Sequence, residues 1–411
     1  MGFLRGPAGT ATAVLIGLRI AYAYNWFDVG PGLPDVSRTF GVGPAAWGIL
    51  LASFLVGAGL FQVPAGLLAL RYGARTVSLC GALLLGGADL AAAAAPNFPT
   101  LVLLRACAGA GGGLFFSPAI SLVASLHPEG RRGVAVGTFS SAFSAGAALG
   151  VFATALVIPS WGWRGGLALG ALLLLVLLAA AAPLVPRTPG SATPRASAIP
   201  SALRSRAVWA IGLAFVGVEG ASLSAGQYFV PFAESTYAWT PALAGGIASL
   251  FVFPSFFGGP VGGALTERYT NRRTQMLAAG AVCAIMLLFV PHANVGEVAA
   301  VAVLFSLSYG AVYAMMYVLA PYLPGIPREE VALAIGLFNA IQIAGGAAVT
   351  FLAALIIAGP GYTDAWFALA GLCALPLALL ALVPVTGGGG SPPAPPTDGV
   401  APPAAQPRPG A

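Results

Sequence analysis

Apolar residues in this chain neither alternate nor favour one helical face. They come in blocks of about twenty, cut by short polar or glycine- and proline-bearing turns. A bilayer core takes roughly 17–25 residues of helix, so such blocks predict membrane spans. The pattern predicts twelve, at residues 10–29, 44–69, 76–95, 98–122, 134–158, 164–184, 207–230, 242–265, 274–291, 296–320, 331–357 and 364–384. The first lacks a small-residue cleavage site and reads as a span rather than a signal peptide. Residues 185–206, rich in Pro, Ser and Arg, separate six spans from six and read as a linker, with a short amphipathic piece near 201–206. Residues 1–184 and 207–385 are then two six-helix halves, and the Pro- and Gly-rich 386–411 a disordered tail.

The halves share a signature. Gly66, Leu68, Arg71, Tyr72 and Arg75 recur 197 residues later as Gly263, Leu265, Arg268, Tyr269 and Arg272. Both copies close an apolar run with a basic turn. Five matches at one offset argue for duplication, as in many secondary transporters.

Composition narrows the class further. The 411 residues are 58% hydrophobic and 7% charged, with a mean hydropathy of +0.90. A soluble domain of this size needs more charge on its surface, so the chain is a polytopic, all-α integral membrane protein. The net charge of +6 does not suggest nucleic-acid binding, because the arginines sit in short loops between apolar runs. There is no lysine, which excludes a phosphate-loop ATPase and a retinal Schiff base. Cys80, Cys107, Cys283 and Cys373 lie inside apolar runs and read as packing residues. His127 and His292 fall in loops on opposite sides, and no zinc pattern or nucleophile–base pair occurs. The expectation is no metal, no cofactor and no enzyme. Placing the N-terminus inside puts Arg71, Arg75, Arg131, Arg132, Arg268 and Arg272 on inner loops, leaving only Arg38 and Arg164 outside. The positive-inside rule then makes both termini and the linker cytoplasmic.

Charges within the spans are few: Arg19, Asp89, Arg105 and Glu219, with Asp28 near the end of the first span. Each costs roughly 2.5–3.5 kcal/mol at mid-helix unless paired or wetted, so each needs a reason. Asp89 and Arg105 stand eight residues either side of Asn97, at one depth of a helical hairpin. They form a buried bridge if their faces match; otherwise Arg105 faces a cavity.

These residues resemble the major facilitator superfamily. Its loop 2–3 signature is a Gly, three residues, Asp-Arg, one residue, Gly, then basic residues. Gly66, Arg71, Gly73 and Arg75 match, with Leu70 in place of the acid; the second copy keeps the acid as Glu267 but has Thr270 for the later Gly. Arg105 with Gly109, Gly111, Gly112 and Gly113 is similar to the family's fourth helix. Gly137, Gly146 and Gly150 follow part of its antiporter motif, and Trp163-Arg164 is another shared feature. The resemblance covers residues 10–384 and implies two pseudo-symmetric halves rocking about a site near the midplane.

The resemblance implies that the first, fourth and seventh helices line the cavity. Arg19, and in one reading Arg105, would bind an anion, with Asn25, Tyr313 and Gln342 among the polar and aromatic groups around it. Ser144, Gln62, Gln227 and Tyr309 belong to the same set. The alternative for Arg19 is a bridge to Asp28 or Glu219. Glu219 is the candidate proton carrier. Gly66 and Gly263 would let helices 2 and 8 cross a partner from the other half closely. The glycines of helices 4 and 5 read as close packing. Arg71 or Arg75 would latch onto Glu329 or Glu330, and Glu267 onto Arg131 or Arg132, closing the inner side. The expected function is proton-coupled movement of a small organic or inorganic anion by a monomer in the bilayer. The alternative is proton-driven efflux of drugs or metabolites.

Overall fold

Glycine, proline and small capping residues decide where each apolar block stops. The computed structural model describes residues 6–187, 204–269, 271–319 and 331–382. Among the described residues every regular element is a helix. The first half has α1 (Gly6–Phe27), α2 (Leu33–Phe40), α3 (Pro44–Tyr72), α4 (Ala74–Ala93), α5 (Phe98–Ser125) and α6 (Glu129–Ala181). The second has α7 (Arg206–Tyr237), α8 (Pro241–Leu250), α9 (Ser255–Arg268), α10 (Arg272–Phe289), α11 (Val295–Leu319), α12 (Val331–Ala358) and α13 (Tyr362–Ala374). The Asn97 side chain caps α5 by accepting the Thr100 amide at 2.9 Å, and Ser205, Thr240 and Asn271 cap α7, α8 and α10 in the same way.

Two joints need glycine for its backbone. Gly73, at φ 84°, ends α3 and starts α4 within one residue. Gly162, at φ 63°, lies inside α6. A methyl group on Gly166 would stand 2.6 Å from the Thr154 Cγ2. Twelve residues along a straight helix are about 18 Å apart, so the chain reverses at Gly162. α6 is therefore two antiparallel crossings. Ten described stretches are long and apolar enough to span, one of them the whole of α6. Counting α6 twice and adding α1, which Arg19, Asn25 and its tyrosines make more polar, gives twelve crossings. Large apolar side chains such as Leu60, Leu103 and Val176 are more than 60% exposed, as expected where lipid replaces water.

The repeat marks equivalent joints. The first copy ends α3 and the second ends α9, and in each the arginine lies over the following tyrosine ring: Arg71 at 5.2 Å from Tyr72, Arg268 at 5.8 Å from Tyr269. The eighth expected span departs from the prediction. Residues 251–254 form turns, which splits it into α8 and α9. Pro254 cannot donate to a continuing helix, and the Ser255 amide goes to the Ser306 hydroxyl at 2.9 Å and, within the turn, to the Val252 carbonyl at 3.3 Å. The short helix α2 was also not expected. Its polar residues pair among themselves or with tryptophans: Arg38 with Asp35, Ser37 with the Trp47 indole at 2.7 Å, and Thr39 with the Trp163 indole at 3.0 Å.

The halves meet along two seams, α3 against α12 and the first arm of α6 against α8. These seams are tight at the end that carries α2. A methyl on Gly48 would lie 2.8 Å from the Ala354 Cβ, and one on Gly245 would run into Ala155. Towards the end that carries the basic turns they part. A methyl on Gly59 would be 3.7 Å from the Ala340 carbonyl, and around Gly66, Gly137, Gly263 and Gly336 nothing lies within 4 Å. Among the described residues the molecule is thus closed at the α2 end and open at the basic end. The close crossing expected at Gly66 and Gly263 is absent from this conformation, because the helices have already diverged there. The packing role expected for helix 4 holds: side chains on Gly109 and Gly113 would run into the Phe54 and Ala58 carbonyls of α3. In helix 5 only Gly146 and Gly150 pack this way, on the Ile20 and Tyr24 carbonyls of α1.

Candidate functional site

Arg19 sits two-thirds of the way along α1 and is 6% exposed. Aromatic rings surround it. Its guanidinium carbon is 4.6 Å from the Tyr22 centroid, 4.3 Å from Phe116 and 4.8 Å from Phe143, with Phe139 at 5.6 Å. Tyr22 is one turn on, Phe116 comes from α5, and Phe139 and Phe143 are one turn apart on the first arm of α6. Cation–π attraction lets rings hold the charge at such distances where hydrocarbon would not. Phe116 and Phe143 are half-buried, and Phe139 is fully buried. The cage is built wholly within the first half.

Glu219 lies on α7, 8% exposed, and its carboxylate accepts the Tyr309 hydroxyl of α11 at 2.8 Å. Tyr313 lies one turn further along α11, its ring 5.8 Å from that of Tyr309 and tilted to it by 38°. Gly346 of α12 faces the Glu219 side chain, where a methyl would lie 3.3 Å from Cγ. Gln342 is buried on α12 and donates to Asn339 at 3.2 Å. So Glu219 and Tyr313 form one cluster, while Gln342 pairs along its own helix.

Arg105 and Asn25 lie elsewhere. Arg105 donates to Asp89 at 2.8 Å, to Asp28 at 3.3 Å and to the Asn25 carbonyl at 3.2 Å. The Phe54 ring lies 4.4 Å from its guanidinium carbon. The hairpin faces therefore match, and the bridge to Asp89 is formed. Asp28, offered above as an alternative partner for Arg19, completes this triad instead. Asn25 is fully buried and donates to the Ala21 and Gly170 carbonyls at 2.7 and 3.2 Å, tying α1 to the second arm of α6. In this conformation the Asn25 amide makes a helix-packing contact.

Further links join the halves towards the closed end. Gln227 of α7 donates to the Trp26 carbonyl at 2.6 Å, Phe27 packs on Gly226, and the Ser144 and Ser255 hydroxyls are 2.7 Å apart. Among the gate candidates, Arg75 donates to the Ala182 carbonyl at 2.7 Å and Arg132 to the Ala124 carbonyl at 3.1 Å, both inside the first half. Arg71, Arg131 and Arg268 are exposed at the open end. Glu329 and Glu330, and the side chain of Glu267, lie outside the described residues, and so does the expected latch.

Sequence reading missed the three phenylalanines around Arg19 and the role of Tyr309 as Glu219's donor. The four-residue spacing of Phe139 and Phe143 was a usable signal, but in a chain this apolar a phenylalanine pair resembles ordinary packing.

The sequence matches the Major Facilitator Superfamily over residues 15–325 and 222–408. The 4-hydroxybenzoate transporter PcaK of Pseudomonas putida is 33% identical over 144 residues, 35% of this chain and 32% of that protein. The multidrug resistance protein Stp of Mycobacterium tuberculosis is 31% identical over 155 residues, 36% of this chain and 29% of that protein. The match thus spans about a third of the length of these relatives. A bacterial homologue of the human lysosomal transporter Spinster, solved inward-facing and unoccupied, superposes with a TM-score of 0.67 at 16% identity, covering 92% of this chain and 95% of that one. At that identity the likeness is one of fold.

Proposed function

Because the chain belongs to the major facilitator superfamily and is a multi-pass protein of the cell membrane, we propose that it moves a small anion by proton-coupled alternating access. The observation that carries this reading is Arg19, the charge of the cage, set on α1 with Glu219 on α7, the corresponding helix of the other half. In a cavity with low-dielectric walls an arginine attracts an anion strongly. Glu219 supplies the complement. Its carboxyl accepts the Tyr309 hydroxyl when ionised and can donate to the same oxygen when protonated, so both forms keep a partner. Arg105 takes no part in binding in this reading; it holds α1, α4 and α5 together through Asp28 and Asp89.

The basic turns mark the cytoplasmic side under the positive-inside rule, which makes this conformation inward-open. Rocking would then close the seams beside Gly66 and Gly263 and open those beside Gly48 and Gly245. Residues 185–206 would tether the halves on the cytoplasmic side.

The similarity to PcaK supports an organic anion as the load. The similarity to Stp supports a second reading, proton-driven drug efflux, in which the rings around Arg19 contact a larger amphipathic molecule. Uptake into proteoliposomes of carboxylates and inorganic anions, with and without an inward proton gradient, separates the two. Accumulation of an anion that requires the gradient and is lost in Arg19→Ala supports the first reading. Anion uptake that is the same in Arg19→Ala overturns it, and gradient-driven movement of cationic drugs in place of anions supports the second.

A further inference from the structure

The cage around Arg19 also bears on which anions enter. Ring faces lie against the guanidinium at 4.3–4.8 Å from Tyr22, Phe116 and Phe143. A guanidinium gives its hydrogen bonds in its own plane, and that of Arg19 lies among these rings. An anion reaching its N–H groups has the rest of its body among the same rings. The cluster also continues beyond the arginine: Phe143 lies 5.6 Å from Trp26 and 6.3 Å from Phe27, and Phe27 packs on Gly226 of the other half. These spacings fall in the 4.5–7 Å range at which rings offset-stack or meet edge to face.

Charge density separates candidate loads. A compact anion such as nitrate or acetate must shed its hydration shell into walls that are largely carbon, and burial of an ion without polar partners is costly. A carboxylate on a flat ring keeps its charge at the guanidinium edge and replaces water with ring contacts along its body. Phe116 and Phe143 are half-buried and keep surface for such a body to contact, whereas Phe139 is fully buried. We propose that Phe116 and Phe143 make the Arg19 site selective for aromatic monocarboxylates over compact and aliphatic anions. This rests on the reading of Arg19 as the anion's anchor.

The test uses the full-length protein in nanodiscs, with benzoate, cyclohexanecarboxylate, acetate and nitrate titrated by calorimetry. Benzoate should bind at least ten-fold more tightly than the other three. Phe116→Leu and Phe143→Leu should each reduce the ratio of benzoate affinity to acetate affinity several-fold. Phe116→Tyr and Phe143→Tyr, which keep a ring, should retain the preference and serve where a leucine variant does not fold. Equal affinity for benzoate and cyclohexanecarboxylate overturns the proposal, and so does a benzoate preference that survives both leucine variants. If all four anions bind equally and all need Arg19, selectivity fails while the anchor stands. If binding is indifferent to Arg19→Ala, the anchor itself is wrong and this proposal falls with it.

Discussion

Arg105→Met separates a structural arginine from a binding one. In the structure the guanidinium gives charge-assisted hydrogen bonds to Asp89 at 2.8 Å and Asp28 at 3.3 Å, and a third bond to the Asn25 carbonyl. Arg105 is 1% exposed and both carboxylates are fully buried. Bonds to charged groups contribute about 1.5–3 kcal/mol each, so two suggest roughly 3–6. The upper end is not reached, because the stranded carboxyls can take up protons. Removal of one partner from a buried ion pair typically costs about 3–5 kcal/mol, and that is the expected loss. For a cooperative unit the size of one half this lowers the melting temperature on the order of 10 °C. The assay is thermal unfolding in detergent, followed by size-exclusion chromatography or tryptophan fluorescence. Adding Asp28→Asn and Asp89→Asn to Arg105→Met should recover most of the loss, since the orphaned charges are gone. Anion affinity in the triple variant should stay near wild type. A melting temperature within about 2 °C of wild type for Arg105→Met implies under ~1 kcal/mol and refutes the structural role. Loss of anion binding in a triple variant of normal stability would return Arg105 to the binding site.

Three further outcomes follow from the same geometry. Glu219→Gln keeps a hydrogen-bonding side chain beside Tyr309 but cannot carry a proton, so gradient-driven accumulation should vanish while counterflow exchange survives; normal accumulation would remove Glu219 from the coupling step. Gly66→Leu and Gly263→Leu face open space here and should shift stability by less than about 0.5 kcal/mol, yet slow transport at least ten-fold if closure brings these positions together; an unchanged rate would mean that the inner ends never approach. Gln227→Leu removes the bond to the Trp26 carbonyl, so hydrogen–deuterium exchange at the α2 end should speed up, and unchanged exchange would show that the seal does not depend on this bond.

Much of the architecture was legible in order along the chain. Span positions follow from composition over twenty-residue windows, because lipid forces each segment to satisfy its own backbone. The repeat was legible because Arg71-Tyr72 and Arg268-Tyr269 are local, and each performs its ring contact within two residues. The bridge from Arg105 to Asp89 was readable as an option, since a hairpin relates their depths by simple counting about Asn97. Its completion by Asp28 was not readable, because the rotation of α1 about its own axis is set by packing against α5 and α6.

Rotation and tilt are what tertiary structure decided throughout. Asn25 and Arg19 lie six residues apart on α1, yet one faces the second arm of α6 and the other the rings of α5 and of the first arm of α6. No apolar stripe distinguishes those faces in a helix that is buried nearly all round, so periodicity carries no signal there. The break between α8 and α9 likewise depended on the Ser306 hydroxyl reaching the Ser255 amide from another helix. Whether Gly66 is a crossing point or an open position is not encoded in its neighbours at all. It depends on how far apart the halves stand, which is a property of the conformation. The sequence determined which segments span and that they were duplicated; only the packed structure decided which faces meet, because in an apolar chain the choice among faces is made by fit between helices.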